Sequence, residues 1–372
     1  MLLFWCSSTY LLIMAVLAAI LISWLRWMLR RIVRIRRQPA SATVRSALPF
    51  WLKPLFAVWS LLSILYLLEL GFAMFVDTTD AFNATQVSAR WFRRHVEPFR
   101  NSEGFRDRHA SFPKQPGHSV TNVFMIGDSF TIGQGINEMN DRFSERTEVI
   151  LNNRARPGDK TVTIYNLGEF GWEVSVMEGI VRAALAQGYR PDMIVYIYML
   201  NDIEGYDPRT EASIKVIQQD RPSFFLWTDT YFFNWMHFLW RQHQASRTVD
   251  YFPHLADSYR EAPWVGVQKS LLAMHAGCQQ HDVELRMVFF PFLHNLGANY
   301  EFRHAHRQLA DFCSDQNIRC LDLEPILTRR KDEGLTVSRY DNHPNERCHA
   351  LVADAIADLL LDDLPLPATQ NE

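Results

Sequence analysis

Three short motifs contain the side chains that acyl transfer requires. An apolar run ends in the tripeptide Gly-Asp-Ser at 127–129, and a serine at such a turn can expose its hydroxyl as a nucleophile. A serine also needs a base, and Asp341 and His343 in the stretch YDNHPNE can supply the base and the carboxylate that orients it. Asn201, in the stretch YMLND, carries an amide that can donate to a developing oxyanion. These residue types predict covalent catalysis with Ser129 as the nucleophile.

Several neighbouring residues are predicted to support this chemistry. The stretch NLGEFGW contains Gly168 and Gly171, where glycine lets the backbone approach a ligand and point an N–H at it. Asp128 and Asp202 are expected to hold their loops through hydrogen bonds to the backbone rather than to act as acids. His294 is either part of the substrate cleft or an ordinary surface histidine. The sequence contains neither Cys-x-x-Cys nor His/Cys ligand spacing, so we expect no metal and no cofactor.

Segments of strand length alternate with segments of helical character after residue 120. The strand candidates are residues 122–127, 161–167, 193–200, 283–291 and 318–323. The helix candidates are residues 142–153, 173–187, 264–280, 300–315 and 346–361. Continuous apolar strands that alternate with helices predict a parallel sheet covered on both faces, which is a doubly wound α/β sandwich. In such sheets ligands bind at the carboxyl ends of the strands, where these motifs lie.

Taken together, the motifs resemble the sequence blocks of the SGNH, or GDSL-type, hydrolase family, over about residues 100–362. The resemblance implies a flavodoxin-like three-layer sandwich with a five-stranded parallel sheet, and it implies acyl-ester chemistry. It also implies that Ser129 is the nucleophile and His343 the general base. Asp341 precedes this histidine by two residues, whereas the family often has a spacing of three. Variants with D-x-H-P resemble the present stretch, so Asp341 is retained as the orienting carboxylate.

The same resemblance implies an oxyanion hole with three donors. These are the backbone N–H of Ser129, Gly171 and Asn201. Gly171 is chosen because it lies five residues after the asparagine that opens its block, and Gly168 is the alternative. Met199 occupies the position at which the family pattern G-x-N-D has glycine. This departure affects the local backbone path but leaves the amide of Asn201 in place.

The first part of the chain is predicted to be membrane-embedded. Residues 1–29 and 51–76 are apolar segments of roughly the 20 residues needed to cross a bilayer, and an arginine-rich loop at 30–50 separates them. Because basic loops stay in the cytoplasm, everything after residue 76 is expected to be periplasmic in a bacterial-type inner membrane. The lipid bilayer accounts for the arginines, so no nucleic-acid partner is expected. For Glu69 within the second segment, we favour a side chain that reaches the headgroups over a functional carboxylate.

Residues 77–120 are predicted to be a polar, irregular connector. It contains the stretch NSEGFRD, in which Arg106 either docks near the site or braces the structure. The hydrolase-like domain is predicted at 121–362, with a tail at 363–372. An aromatic-rich insertion at 206–262 interrupts the domain. It is expected to form one amphipathic helix on the sheet, with a lid or a membrane-resting surface as alternatives.

Charge and cysteines narrow the functional classes. The formal net charge is −3, and the part after the basic loop is acidic, which does not favour polyanion binding. Four cysteines outside the first apolar segment can form up to two disulfides in an oxidising compartment, and sequence does not choose the pairing; they are Cys278, Cys313, Cys320 and Cys348.

The expected function is a membrane-anchored serine esterase. Its substrate would be an acylated glycan of the cell envelope or another ester, with acetyl as the expected acyl group. One alternative is an O-acyltransferase that works with a membrane acyl-donor partner, because the chain itself has few spans. A second alternative is a non-catalytic glycan-binding or assembly protein.

Overall fold

A computed structural model of the chain describes residues 6–37, 50–114, 119–156, 159–218, 224–245 and 250–361. The predicted tail and most of the predicted basic loop lie outside these residues. The chain divides into two compact units. The first combines residues up to 78 with 83–90 and 220–242, and the second contains residues 79–82, 91–219 and those from 243 onward.

The secondary structure alternates between strands and helices in the second unit. The β-strands are β1 (Val120–Gly127), β2 (Thr161–Gly168), β3 (Met193–Met199), β4 (Glu284–Phe290) and β5 (Arg319–Asp322). The α-helices are α1 (Ser8–Arg37), α2 (Leu52–Phe75), α3 (Gln86–His95), α4 (Ser129–Ile132), α5 (Phe143–Arg154), α6 (Val174–Ala186), α7 (Pro208–Gln218), α8 (Phe225–Thr228), α9 (Phe232–Ala245), α10 (Tyr251–Ser258), α11 (Ala262–Gln280), α12 (Arg303–Asp315), α13 (Glu324–Thr328) and α14 (Glu346–Leu361). Short 3₁₀ turns lie at Glu97–Phe99, Met139–Asp141, Leu200–Tyr206, Leu293–Asn295 and Lys331–Glu333.

The five strands form one parallel sheet in the order β2-β1-β3-β4-β5. This is the flavodoxin-like order, so the predicted fold class is confirmed. The apolar runs of the sequence form the buried strands of this sheet: β3 is buried along its whole length, and β1 and β4 are buried along most of theirs. Strands buried on both faces are typical of parallel sheets that helices cover on both sides.

Helices cover both faces of the sheet. On one face, α6 buries Val174, Met177, Val181 and Leu185, which recur every three or four residues, and α11 and α12 join the same apolar core. On the other face, α5 and α14 pack over a second core. A fully buried Val, Leu or Met side chain contributes roughly 1.5 to 3 kcal/mol to folding. The five predicted helices agree with these elements to within three residues at every boundary.

The connector is more ordered than the sequence predicted. Residues 86–95 form α3, a 3₁₀ turn follows at Glu97–Phe99, and the backbones of Arg100 and Arg106 pair as an isolated antiparallel bridge. The polar composition suggested an irregular segment. In the structure, however, Trp91 and Val96 are buried with Ile132 in a small apolar cluster, and tertiary packing of this kind stabilises a helix whose overall composition is polar.

The first unit contains the two apolar helices. Both α1 and α2 are long and apolar enough to cross a membrane, judged by length and composition alone. The bounds of α2 differ little from the predicted 51–76. By contrast, α1 continues to Arg37, whereas the prediction ended the segment at residue 29 and placed a loop from residue 30. Arginine has a high helix propensity, so a cluster of basic residues does not by itself end a helix.

The aromatic insertion differs from its prediction. Instead of one amphipathic helix on the sheet, residues 224–245 form α8 and α9, and residues 220–242 belong to the first unit. The break falls at Asp229, where the helix propensity is low. The remaining parts of the insertion, α7 and α10, belong to the second unit.

Two further expectations change in the structure. The carboxylate of Glu69, which was expected to reach the headgroups, is buried by protein and accepts hydrogen bonds from the backbone N–H of Tyr231 (2.6 Å) and Phe232 (2.9 Å). The disulfides that the cysteine count allowed are not formed, since all five cysteines are free thiols. Burial raises the pKa of the Cys278 thiol to about 12, so this thiol remains protonated at neutral pH.

Candidate active site

Ser129 lies where β1 ends, as the first residue of α4. Asp128 caps this helix, because its Oδ1 accepts the backbone N–H of Phe130 at 2.9 Å. The preceding Gly127 has no room for a side chain: a Cβ there would lie 2.1 Å from Oγ1 of Thr131 and 2.9 Å from the carbonyl of Ile197. The tight turn therefore places the serine hydroxyl at the carboxyl edge of the sheet.

The loop before α14 brings His343 and Asp341 to this serine. Nε2 of His343 lies 2.8 Å from Oγ of Ser129, and Nδ1 lies 2.5 Å from Oδ1 of Asp341. The same carboxylate oxygen accepts the backbone N–H of His343 at 3.1 Å. Asp341 therefore folds back onto its own loop, which explains how a spacing of two residues still aligns carboxylate and imidazole. The structure thus assembles an unbroken chain of hydrogen bonds from carboxylate to hydroxyl.

The electrostatics of the triad favour a basic imidazole. Burial alone lowers the pKa of His343, but the charge and hydrogen bond of Asp341 oppose it, and Asp128 and Asp80 add to their effect, so the pKa is raised. Burial also raises the pKa of Asp128 to about 6, against the lowering effect of its bond to the Phe130 N–H. Asp128 is therefore mostly ionised at neutral pH and contributes to the negative potential around the imidazole.

The predicted oxyanion donors are two backbone N–H groups and one amide side chain. Among the hydrogen bonds of the described residues, none uses the backbone N–H of Ser129 or Gly171. Gly171 has φ +65° and open space where a Cβ would be, in an exposed turn after β2. Asn201 is the second residue of the 3₁₀ turn after β3, and its amide can donate to an oxyanion only through Nδ2. Unused backbone N–H donors of this kind are expected where an anionic ligand binds.

Gly168 differs from Gly171 both in the hydrogen bonding of its N–H and in the space around its Cα. Its N–H already donates to Oδ1 of Asn166 at 3.0 Å. A Cβ at this glycine would lie 2.2 Å from the backbone nitrogen of Ile132, so glycine here lets β2 pack against α4. Of the two glycines that the sequence offered, Gly171 therefore has the N–H that is free to bind an oxyanion.

The turn that carries Asn201 is held by Asp202. Oδ2 of Asp202 accepts the hydroxyl of Tyr196 at 2.6 Å and the backbone N–H of Met199 at 3.2 Å. Burial raises the pKa of Asp202 well above its usual range, and the Asp128 charge adds to the effect. Met199, which replaces the glycine of the family pattern, is accommodated as a buried strand residue in the apolar core. The backbone path that leads to the amide is thus fixed by a side chain.

His294 lies in the 3₁₀ turn after β4, and within the described residues it takes no part in the hydrogen bonds that join Asp341, His343 and Ser129. Its exposed ring packs against Phe252, with the ring centroids 4.2 Å apart, and lies near Phe292. Within the described residues there is no group of three or more His, Cys, Asp or Glu side chains that could hold a metal ion.

Arg106 proves to be a brace for the loop after the serine helix. Its guanidinium is fully buried and donates to the carbonyls of Ile132 (3.2 Å), Gly133 (3.0 Å), Ile136 (2.8 Å) and Asn137 (3.2 Å). Sequence reasoning left open whether this arginine docks near the site or braces the fold. The only signal was its place in the stretch NSEGFRD, because a polar connector gives no sign that one of its arginines is buried.

We predict that Arg106→Ala lowers the free energy of unfolding by about 3 to 5 kcal/mol, because buried carbonyls lose their donors and a cavity opens. Chemical denaturation of the full chain in detergent measures the change. Arg182→Ala is the matched control: Arg182 forms an exposed pair with Glu178, and its loss should cost less than about 1 kcal/mol. Equal losses for the two variants would show that Arg106 is no brace.

Comparison with known proteins gives similarity at the level of solved structures. No protein-family model and no curated protein sequence matches the chain. Similar structures include a lipolytic protein of the G-D-S-L family from Veillonella parvula (16% identity, TM-score 0.39, covering 65% of this chain and 98% of that one). They also include a lipase from a goat rumen metagenome (14%, TM-score 0.44, 66% and 100%) and a catalytic mutant of an acetylxylan esterase from Geobacillus stearothermophilus (13%, TM-score 0.39, 67% and 96%).

Proposed function

We propose that this protein is a serine esterase, anchored in the membrane by α1 and α2, that removes O-acyl groups from a glycan of the cell envelope. Acetyl is the expected acyl group. The observation that supports the proposal best is the bonded series from Asp341 through His343 to Ser129, with spacings of 2.5 and 2.8 Å. A hydroxyl, an imidazole and a carboxylate in this order form the arrangement by which serine hydrolases activate a nucleophile.

The mechanism follows from the positions of these atoms. Nε2 of His343 takes the proton from Oγ of Ser129 as that oxygen attacks the ester carbonyl carbon. The N–H groups of Ser129 and Gly171 and the amide of Asn201 stabilise the tetrahedral oxyanion. His343 then returns the proton to the departing sugar oxygen, and an acyl-serine remains. Water, activated by the same imidazole, hydrolyses the acyl-serine and releases the carboxylic acid.

The first part of the chain supports the proposed location of the hydrolase unit and, through it, the proposed envelope-glycan substrate. Two helices that are apolar enough to span a bilayer flank an arginine-rich segment. With that segment in the cytoplasm, the hydrolase unit lies on the opposite side, where envelope polysaccharides are found. Reporter fusions after Arg37 and after Val76 test this topology, and a cytoplasmic signal from the second fusion would contradict it.

The substrate proposal is tested by the acyl content of envelope polysaccharides in cells that carry either the natural chain or Ser129→Ala. We expect more bound acetate in the Ser129→Ala cells. With purified full chain and an acetylated oligosaccharide, the product should be free acetate. If acetyl appears on an added acceptor sugar instead, the protein is an O-acyltransferase. If neither product forms while a simple acetate ester is hydrolysed, the glycan assignment is wrong and the ester chemistry stands.

We predict that Asn201→Ala lowers kcat by about 10²- to 10³-fold, because one oxyanion donor is worth roughly 2.7 to 4 kcal/mol of barrier. KM should change little, since the amide acts on the transition state. Steady-state kinetics with an activated acetate ester measures both values. Asn295→Ala, in the exposed turn after β4, is the control and should keep normal kcat. A loss that appears only in KM would mean that Asn201 binds ground-state substrate.

We predict that kcat/KM rises with pH through an apparent pKa above the ordinary histidine value of about 6.5. The base must be neutral, and the net effect of the surroundings raises the pKa of His343, so the acid limb shifts to higher pH. Asp341→Asn removes the carboxylate charge that opposes burial, so its residual activity should show the limb at lower pH. A limb that stays at the same pH in that variant would assign the titration to another group.

A further inference from the structure

The segment 224–245, made of α8 and α9, exposes large apolar side chains. Phe224, Phe225, Met236 and Trp240 are 48%, 52%, 45% and 54% exposed. Single exposed apolar residues are common on proteins, but several within one short segment mark an interaction surface. Residues 224–240 also contain only one charged side chain, Asp229. We call the four exposed residues the aromatic patch.

Glu69 fixes the start of α9 to α2 within the first unit. Its buried carboxylate accepts the N–H groups of Tyr231 and Phe232, which lie at the N-terminus of α9, where backbone N–H groups have no acceptor within the helix. The ring of Phe72, almost one turn further along α2, lies 5.1 Å from the ring centroids of both Phe232 and Trp235. A carboxylate from one helix thus caps another, and aromatic packing supports the same contact.

The position of Glu69 along α2 sets the depth of this contact. It precedes the last residue of α2, Phe75, by six residues, which corresponds to about 9 Å along a helix. Amphipathic helices at a membrane surface bury their apolar face roughly 5 to 10 Å into the boundary between headgroups and acyl chains. If α2 spans the bilayer, the start of α9 therefore lies at this boundary.

The exposed stripe of α9 changes character along the helix in a way that fits this depth. Its first exposed residues are Met236 and Trp240, four residues apart on one face. Its last exposed residues are His243 and Gln244. A helix that starts within the boundary and ends in water would show this order, with apolar residues followed by polar ones.

We infer that segment 224–245 is a third membrane-contacting element, whose aromatic patch is covered by lipid at the headgroup–acyl boundary and whose depth is set by Glu69. The inference rests on the proposed membrane attachment. Its occupant is the lipid bilayer, because the patch is joined to a helix of membrane-spanning composition at the depth where amphipathic helices bind. The intramembrane carboxylate then has a defined role as the cap that orders this element.

Site-directed spin labels on the full chain in phosphatidylcholine–phosphatidylglycerol vesicles test the inference. Labels are placed through Met236→Cys and Trp240→Cys in the patch, Gln244→Cys on the polar end of the stripe, and Leu67→Cys on the exposed face of α2. Collision rates with oxygen, which enriches in lipid, and with a water-soluble nickel chelate report the environment. We expect oxygen to exceed nickel several-fold at 67, 236 and 240, and the reverse at 244.

Each other pattern contradicts a different part of the inference. If the label at 67 is in lipid while those at 236 and 240 collide with nickel, the patch faces water. The inference about the patch is then wrong, and the proposed membrane attachment stands. If the label at 67 also collides with nickel, membrane attachment fails with it. If neither collider reaches 236 and 240, protein covers the patch, as in an association of two copies. Glu69→Leu should shift the label at 236 toward nickel, and an unchanged ratio would show that Glu69 does not set the depth.

Discussion

Replacing Ser129 by alanine is expected to lower kcat for hydrolysis of p-nitrophenyl acetate by about 10⁴-fold or more. The substitution removes only an oxygen, and this oxygen lies 2.8 Å from the imidazole that would deprotonate it. Without it, no acyl-enzyme forms, and the remaining rate comes from water held near the oxyanion donors. KM should stay close to normal, because the donors and the cleft are intact.

The measurement needs controls for folding and for contaminating esterases. Ser102→Ala, which alters an exposed hydroxyl in the connector, should hydrolyse the ester at the normal rate. A fluorophosphonate probe should label the natural chain and Ser102→Ala but not Ser129→Ala, with unchanged thermal denaturation of all three. If the Ser129→Ala protein keeps its activity, the covalent mechanism is wrong. If the natural chain neither labels nor hydrolyses, the non-catalytic alternative is supported.

Asp341→Asn is the second substitution with a large expected effect, a loss in kcat of about 10⁴-fold. The change keeps the shape of the side chain but removes its charge. In the structure, one oxygen of Asp341 accepts both the ring Nδ1–H and the backbone N–H of His343. A neutral amide no longer stabilises the imidazolium that forms during attack, and its NH₂ group can fix the wrong ring tautomer.

The kinetics of this variant discriminate between an orienting and a merely structural carboxylate. If the carboxylate were only structural, Asp341→Asn would lower the midpoint of chemical denaturation and leave the pH dependence of kcat/KM unchanged. An orienting role lowers kcat and shifts the acid limb to lower pH, because the largest contribution that raises the pKa of His343 is lost. Asp332→Asn, in an exposed turn, is the matched control. If Asp341→Asn retains more than about a tenth of the natural kcat, Asp341 does not orient the base.

The sheet could be predicted from the sequence because its strands are specified locally. Strands buried on both faces appear as continuous apolar runs, and amphipathic helices appear as apolar residues every three or four positions. Each of these signals is contained within one strand or one helix. The strand ends could be predicted for the same reason, and with them the edge on which Ser129 and Asn201 lie.

Family spacing favoured Gly171 over Gly168 as an oxyanion donor, and the tertiary structure gives a physical reason for that preference. Apart from that spacing, Gly168 and Gly171 are the same residue type in the stretch NLGEFGW. They differ in packing: β2 contacts α4 at Gly168, whereas a Cβ at Gly171 would meet open space. The stretch does not contain this packing reason, since the residues that crowd Gly168 come from a part of the chain more than thirty positions earlier.

By itself the sequence determined the order of strands and helices, the apolar helices at its start, and the residue types available for acyl transfer. Tertiary structure alone decided how Asp341 reaches His343 despite the short spacing, that Arg106 is buried under four carbonyls, and that Glu69 caps a helix some 160 positions away. The physical reason is the same in each case. A polar side chain becomes informative only when its partners are known, and in a folded chain these partners are often distant in sequence.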